Sequence, residues 1–231
     1  MNIIYWSDYA CPYCYIGETR LKKAIAQMTD PEDFSLEMKS FELDPDAPAV
    51  CEGDTVTRFA KKYRISPMLA AHQIERISQM GRDEGLAFQY ASSRSTGTMD
   101  AHRLTKLAMS KGDPDLTDRL IERLFDAYFG QNLELADHDT LRKIAAECGL
   151  DPSEVDDVLS SDRFRRDVLE DEAEAERRGI RGVPFFVIDG KYEISGAQSV
   201  PAMRSALLRA LAETEAPSDP SGMVCGPDGC R

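Results

Sequence analysis

The chain of 231 residues has no apolar run approaching the roughly 18–20 residues a membrane-spanning helix needs. It has little basic charge for its acidity. The 28 Lys and Arg stand against 41 Asp and Glu, a net charge of −13. Nucleic acid and anionic membrane both call for a basic face, so neither is expected as a partner. We read the acidity as a solubilising surface. Cysteine is sparse, six in the whole chain, which is too few for a disulfide scaffold of this size. No glycine-rich phosphate loop is present, and the chain shows no internal repeat. The first eight residues carry no basic region, no long apolar core and no small-residue cleavage site, so no signal peptide is expected. A cytoplasmic location is therefore expected. Hydrophobic residues make up 42% of the chain, enough for a substantial core.

What is present is organised around Cys11-Pro12-Tyr13-Cys14. The apolar run 3–6 precedes it, and a helical pattern follows, with Ile16, Leu21, Ala24, Ile25 and Met28 on one face. Cys11 then falls at a helix start and Cys14 one turn inside. Residues three apart on a helix share a face, so the two sulfurs can reach disulfide geometry with little movement. The first helical turn offers free N–H groups and the positive end of the dipole, which stabilise thiolates in general. Pro12 suits the first helical position, where no N–H is required. Two readings fit the motif. One is a redox dithiol, with Cys11 as the exposed nucleophile and Cys14 as the resolving thiol. The other is half of a zinc site, although no second C-x-x-C and no nearby Cys/His cluster accompanies it.

After this helix, Phe34, Leu36 and Met38 alternate with polar residues as a half-buried strand. Strand, helix and strand then form a right-handed parallel unit, with the motif at the carboxyl end of the first strand. Two prolines keep residues 41–48 extended. Helical periodicity dominates from there, with helices expected over 56–63, 67–81, 99–111, 114–129, 137–148, 152–159 and 164–178. Ser66, Asp113 and Asp151, each followed by proline, read as N-caps. The stretch 185–188 is a buried strand, Asp189-Gly190 a tight turn, 192–194 the returning strand and 201–211 a closing helix. The expected fold class is α/β, a thioredoxin-type core with a large all-helical insertion. We expect the core over 1–50 and 179–213, the insertion over 51–178, and a flexible tail over 214–231.

The C-P-Y-C motif, Val183-Pro184 before a late hairpin, and the helical stretch between them resemble the DsbA-like thioredoxin-fold family. Residues 41–48, 100–104, 179–186 and 195–198 resemble its FrnE-type cytoplasmic branch. The likeness runs from residue 1 to about 212. It implies a protein disulfide oxidoreductase or isomerase, with Cys11 as nucleophile, Cys14 as resolving thiol and Pro184 as a cis-proline. It also implies that Pro12, Tyr13, Val183 and Pro184 meet the substrate, whose strand would pair with the backbone of Val183. Disulfide-bearing protein substrates and a recycling thiol reductant are the implied partners. No dissociable cofactor and no metal are implied beyond the redox-active disulfide itself, with glutathione a candidate co-substrate. The rival enzyme class is the glutathione-dependent isomerases and transferases similar to 2-hydroxychromene-2-carboxylate isomerase. Those relatives carry serine where this chain has Cys11. A thiol chaperone or metal-buffering protein is the non-enzyme rival.

Of the remaining residues, His102 and Arg103 beside Asp100 read as packed or hydrogen-bonded, and His72 and His138 as surface positions. Cys148 reads as a small buried apolar residue and Cys51 as a loop cysteine without a partner. Glu154, Asp156, Asp157 and the charge run 170–176 read as solvated helix faces. Cys225 and Cys230, in a glycine-rich tail, admit three readings: a second redox pair, two ligands of a metal site, or an inert end. Two thiols alone do not complete a tetrahedral zinc shell.

Overall fold

In the first strand, Ile3 and Tyr5 turn one way and Ile4 and Trp6 the other, and both sets find apolar partners. A strand buried on both faces needs such a continuous apolar run, and β1 (Asn2–Ser7) has one. The computed structural model describes residues 1–215, 225–226 and 229–230. After β1 come α1 (Pro12–Ile25) and β2 (Ser35–Ser40). The insertion is α2 (Thr55–Tyr63), α3 (Pro67–Asp83), α4 (Met99–Met109), α5 (Pro114–Phe129), α6 (His138–Cys148), α7 (Pro152–Ser160) and α8 (Arg165–Arg177). The chain then returns through β3 (Phe185–Ile188), β4 (Tyr192–Ser195) and α9 (Val200–Glu215). A short ribbon, β5 (Cys225–Gly226) and β6 (Gly229–Cys230), ends the described residues.

The sheet runs β2-β1-β3-β4. β1 and β2 are parallel, as a strand–helix–strand unit requires, while β3 runs antiparallel to both β1 and β4. Tyr5 lies opposite Phe186, and their rings stack at 5.7 Å. The β3–β4 turn places Asp189 at φ 46° and Gly190 at φ 70°, the pair of positive values a tight hairpin of this hand demands. Glycine meets that demand without strain, and Asp189 holds the turn to β1 by exchanging hydrogen bonds with Asn2 at 2.7 and 2.8 Å.

Helices α1 and α9 share one face of the sheet with Ile3, Tyr5, Phe186 and Ile188. The insertion extends that same apolar cluster without a break. Its link is aromatic: Phe125 of α5 stacks on Tyr15 of α1 at 5.0 Å and lies 5.0 Å from Tyr9. Helix α8 covers the opposite face, where Trp6, Val187, Ala175 and Ile180 form a smaller cluster.

Three features differ from expectation. Helix α9 continues to Glu215, past 211, because Ala212 and Glu213 are good helix formers and Lys191 pairs with Glu213. The remaining tail lies outside the described residues apart from β5 and β6. Asp171, within the charge run read as solvated, is 4% exposed. Its carboxylate accepts from the Ser40 N–H at 2.8 Å and pairs with Lys39 and Lys106, while its carbonyl accepts from Trp6 Nε1 at 3.0 Å. Cys51 does have a partner: Arg58 Nη1 donates to its sulfur at 3.2 Å.

Candidate active site

The two motif cysteines are placed by the turn out of β1. The Cys11 N–H donates to Asp8 O and the Cys14 N–H to Cys11 O, both at 3.0 Å. Cys11 is thus the N-cap of α1, in extended backbone, with Pro12 as the first helical residue. Cys14 is fully buried. Burial pushes its thiol well above the ordinary range, and the adjoining Cys11 side chain adds to the effect. The Asp8 N–H, which donates to Cys14 Sγ at 3.5 Å, and the Ser7 hydroxyl pull weakly the other way. Cys14 therefore keeps its proton.

Cys11 was expected to be exposed, and it is not: its residue is 4% exposed. The segment before β3 lies against it, and Cys11 Sγ donates to the Val183 carbonyl at 3.5 Å. The Val183–Pro184 peptide bond is cis. Close approach of this segment to α1 depends on Gly17. A Cβ there would stand 2.9 Å from Pro184 Cγ and 3.4 Å from Ala197. Cys11, Cys14, Val183 and Pro184 thus meet at one place, with Pro12 buried and Tyr13 half-buried beside them. Burial raises the Tyr13 phenol, and the nearby charge of Arg76 opposes the rise. Cys225 lies opposite Cys230 in the β5–β6 register, but their side chains lie outside the described residues.

Sequence reasoning missed the support beneath the cysteines. Asp8 is 1% exposed. Its Oδ1 accepts from Thr98 Oγ1 at 2.8 Å and Ala10 N at 3.2 Å, and its Oδ2 accepts from Leu43 N at 2.8 Å. One carboxylate thereby ties together the C-x-x-C turn, the chain leaving β2 and the start of α4. An aspartate at a strand end, two residues before the amide it binds, is the local signal that could have exposed it. His102 is fully buried as a packed histidine, its ring 4.9 Å from that of Tyr9 and its Nε2 3.4 Å from Asp8 Oδ1. Neither ring nitrogen has a hydrogen-bond partner among the described residues. Arg103 is an anchor, donating to the carbonyls of Val158, Ser161 and Arg163. Among the described residues, no three Cys, His, Asp or Glu side chains converge in a way that could hold a metal ion. No helix among them is long and apolar enough to cross a membrane.

A mixed sheet whose first strand delivers a C-x-x-C to a helix start, faced by a cis-proline ahead of an antiparallel strand, defines a thioredoxin fold, here with a helical insertion. Residues 2–208 match the DSBA-like thioredoxin domain family, and the chain belongs to it. A solved structure described as a probable DsbA oxidoreductase from Streptomyces coelicolor is 33% identical. The match covers 100% of this chain and 98% of that one at a TM-score of 0.87. A 2-hydroxychromene-2-carboxylate isomerase has a TM-score of 0.67 at 14% identity, over 93% of this chain and 98% of the other. The cytosolic disulfide reductase DsbM from Pseudomonas aeruginosa has a TM-score of 0.60 at 18% identity, over 92% of this chain and 100% of the other. The last two are similar in fold alone.

Proposed function

We propose that the protein is a cytoplasmic thiol–disulfide oxidoreductase that exchanges disulfides with protein substrates through Cys11 and Cys14. The observation that carries this reading is the pair of adjoining thiols at the start of α1, roofed by the Val183 carbonyl. In the reducing direction the Cys11 thiolate attacks one sulfur of a substrate disulfide. A Cys11–substrate disulfide forms, and the departing substrate thiolate takes up a proton. Cys14 then gives up its proton and attacks the Cys11 sulfur. The Cys11–Cys14 disulfide closes, the second substrate thiol leaves, and two electrons have passed to the substrate. A thiol reductant, with glutathione as the candidate, restores the dithiol. Run backwards, the same steps oxidise a substrate. The protonated state of Cys14 suits its place in this order, because it keeps the second thiol in reserve until Cys11 is engaged. Substrate backbone is proposed to pair with Val183 beside Pro184, with Pro12 and Tyr13 forming the facing wall.

The isomerase fold likeness motivates a second reading, glutathione-dependent isomerisation. Two thiols at positions 11 and 14 favour exchange over it. Cys225 and Cys230 are proposed as a second exchangeable pair, a reading supported by the register that sets them opposite one another. Insulin reduction by the protein with a small thiol reductant tests the main proposal. The parent is expected to accelerate it, and Cys11→Ser to lose the acceleration by about a thousandfold or more. Equal rates for the two proteins would overturn the proposal, and glutathione-dependent turnover of 2-hydroxychromene-2-carboxylate would favour the rival.

A further inference from the structure

Between the chain that leaves β2 and the segment after α8 lies a cleft of about 570 Å³, lined by Phe41, Glu42, Glu172, Glu176, Ile180 and Arg181. One wall, 41–42, is joined to the C-x-x-C turn, since the next residue, Leu43, donates its N–H to Asp8. The other wall reaches Arg181, two residues before the Val183 carbonyl that Cys11 touches. A chain paired with Val183 and running toward Arg181 would therefore pass the cleft within two or three residues, about 7–10 Å.

The chemistry of the lining is lopsided. Glu42 is 9% exposed, yet no donor among the described residues reaches its carboxylate; only its backbone N–H is engaged, donating to Glu172 Oε1 at 2.9 Å. The carboxylate meets the cleft with no donor from the protein, so an incoming cation would find it unpaired. Burial first, then Glu172 and Asp8, push Glu42 up to about 7; Arg165 opposes them, and Asp100 adds a lesser push upward. Glu176 adds a third carboxylate at the rim. Arg181 is exposed there, so water screens its charge more than that of Glu42. Phe41 and Ile180 supply apolar wall against which an alkyl stem can lie while its charged head meets the acids.

We propose that this cleft receives a basic side chain, lysine or arginine, of a disulfide-bearing peptide whose cysteine is engaged by Cys11. The inference rests on the exchange reading above and adds a substrate class to it. Glu42 is the buried partner of the incoming cation, and Glu172 and Glu176 set the field that attracts it. The preference depends on the Glu42 charge. Above about pH 7 the group is ionised and the preference is present; below that it gains a proton and the preference fades.

The test uses the full-length reduced protein and three disulfide-closed peptides that differ at one position, Lys, Met or Glu, scanned over the two residues on either side of a cysteine. Formation of the Cys11–Cys14 disulfide is followed by acid quench and mass spectrometry. At about pH 8 and low salt, the Lys peptide is expected to react about 5- to 10-fold faster than the Met peptide at one of these positions, and the Glu peptide slower than either. The Lys/Met ratio should approach one in a Glu42→Gln, Glu172→Gln variant and, in the parent protein, should fall at about pH 6. The parent pH comparison stands even if the variant does not fold. A ratio near one at every position in the parent, or a preference that survives both substitutions, would overturn the subsite while leaving exchange through Cys11 intact. If the Met peptide also failed to oxidise the pair, the exchange reading itself would fall, and the subsite with it.

Discussion

The two faces of the sheet are packed by different physics, although alternate residues of one strand feed both. On the α1 and α9 face, Ile3 and Tyr5 join a continuous apolar cluster that extends through the aromatic stack of Tyr15, Phe125, Phe129 and Phe88 into the insertion. On the α8 face, Trp6 has only a small apolar cluster, and α8 is held by the buried Asp171 with Lys39, Lys106 and the Ser40 N–H. Apolar contact tolerates close approach, and it is on the first face that Pro184 comes so near Gly17 that an added Cβ would stand 2.9 Å from its ring, and that it roofs the cysteines. Polar anchoring leaves charge in the interior, and the second face is where Glu42 and Glu172 border a cleft. The first face brings Cys11, Cys14 and Pro184 together; the second carries the acidic cleft.

Breaking each face separately should therefore give different losses. Phe125→Ala removes a fully buried ring that joins α5 to the active-site helix, and unfolding in urea should show a loss of about 3–5 kcal/mol. Asp171→Ala leaves the buried Ser40 N–H without its acceptor and two partly buried lysines without their carboxylate. Because both lysines retain some exposure, a smaller loss of about 2–3 kcal/mol is expected by the same measurement. Gly17→Ala sharpens the comparison further. The added methyl meets the Pro184 ring, an overpacking cost of about 1–3 kcal/mol, while alanine returns about 1 kcal/mol in helix propensity. Net stability should fall by only about 1 kcal/mol, yet insulin reduction should slow, because the displaced segment is the one that touches Cys11. A variant with unchanged reduction rate would separate the Pro184 segment from the chemistry.

The apolar run of β1, the C-P-Y-C turn, the Asp189-Gly190 hairpin and the proline-led helix starts were legible in the sequence because each is a local rule. Ser66, Asp113 and Asp151 accept hydrogen bonds from the amides of their first turns, as their positions imply. The buried acids were not legible. Asp171 sits among Glu170, Glu172 and Glu174, and a run of charge in a helical pattern reads as solvated; only the arrival of β2 and α4 from more than sixty residues away makes it an anchor. Glu42 follows the same logic. Gly17 was missed because the contact that forbids a side chain comes from Pro184, distant in sequence. The exposure of Cys11 was misjudged for that reason too: helix-start geometry is local, but its cover is not.

The central claim is that Cys11 attacks and Cys14 resolves. The direct measurement is to mix a Cys14→Ser variant with a disulfide-closed peptide, digest without reducing the sample, and map the trapped adduct by mass spectrometry. The account predicts a stable peptide disulfide on Cys11. An adduct confined to Cys51 or Cys148, or no adduct at all under conditions where the parent protein is oxidised, would contradict it.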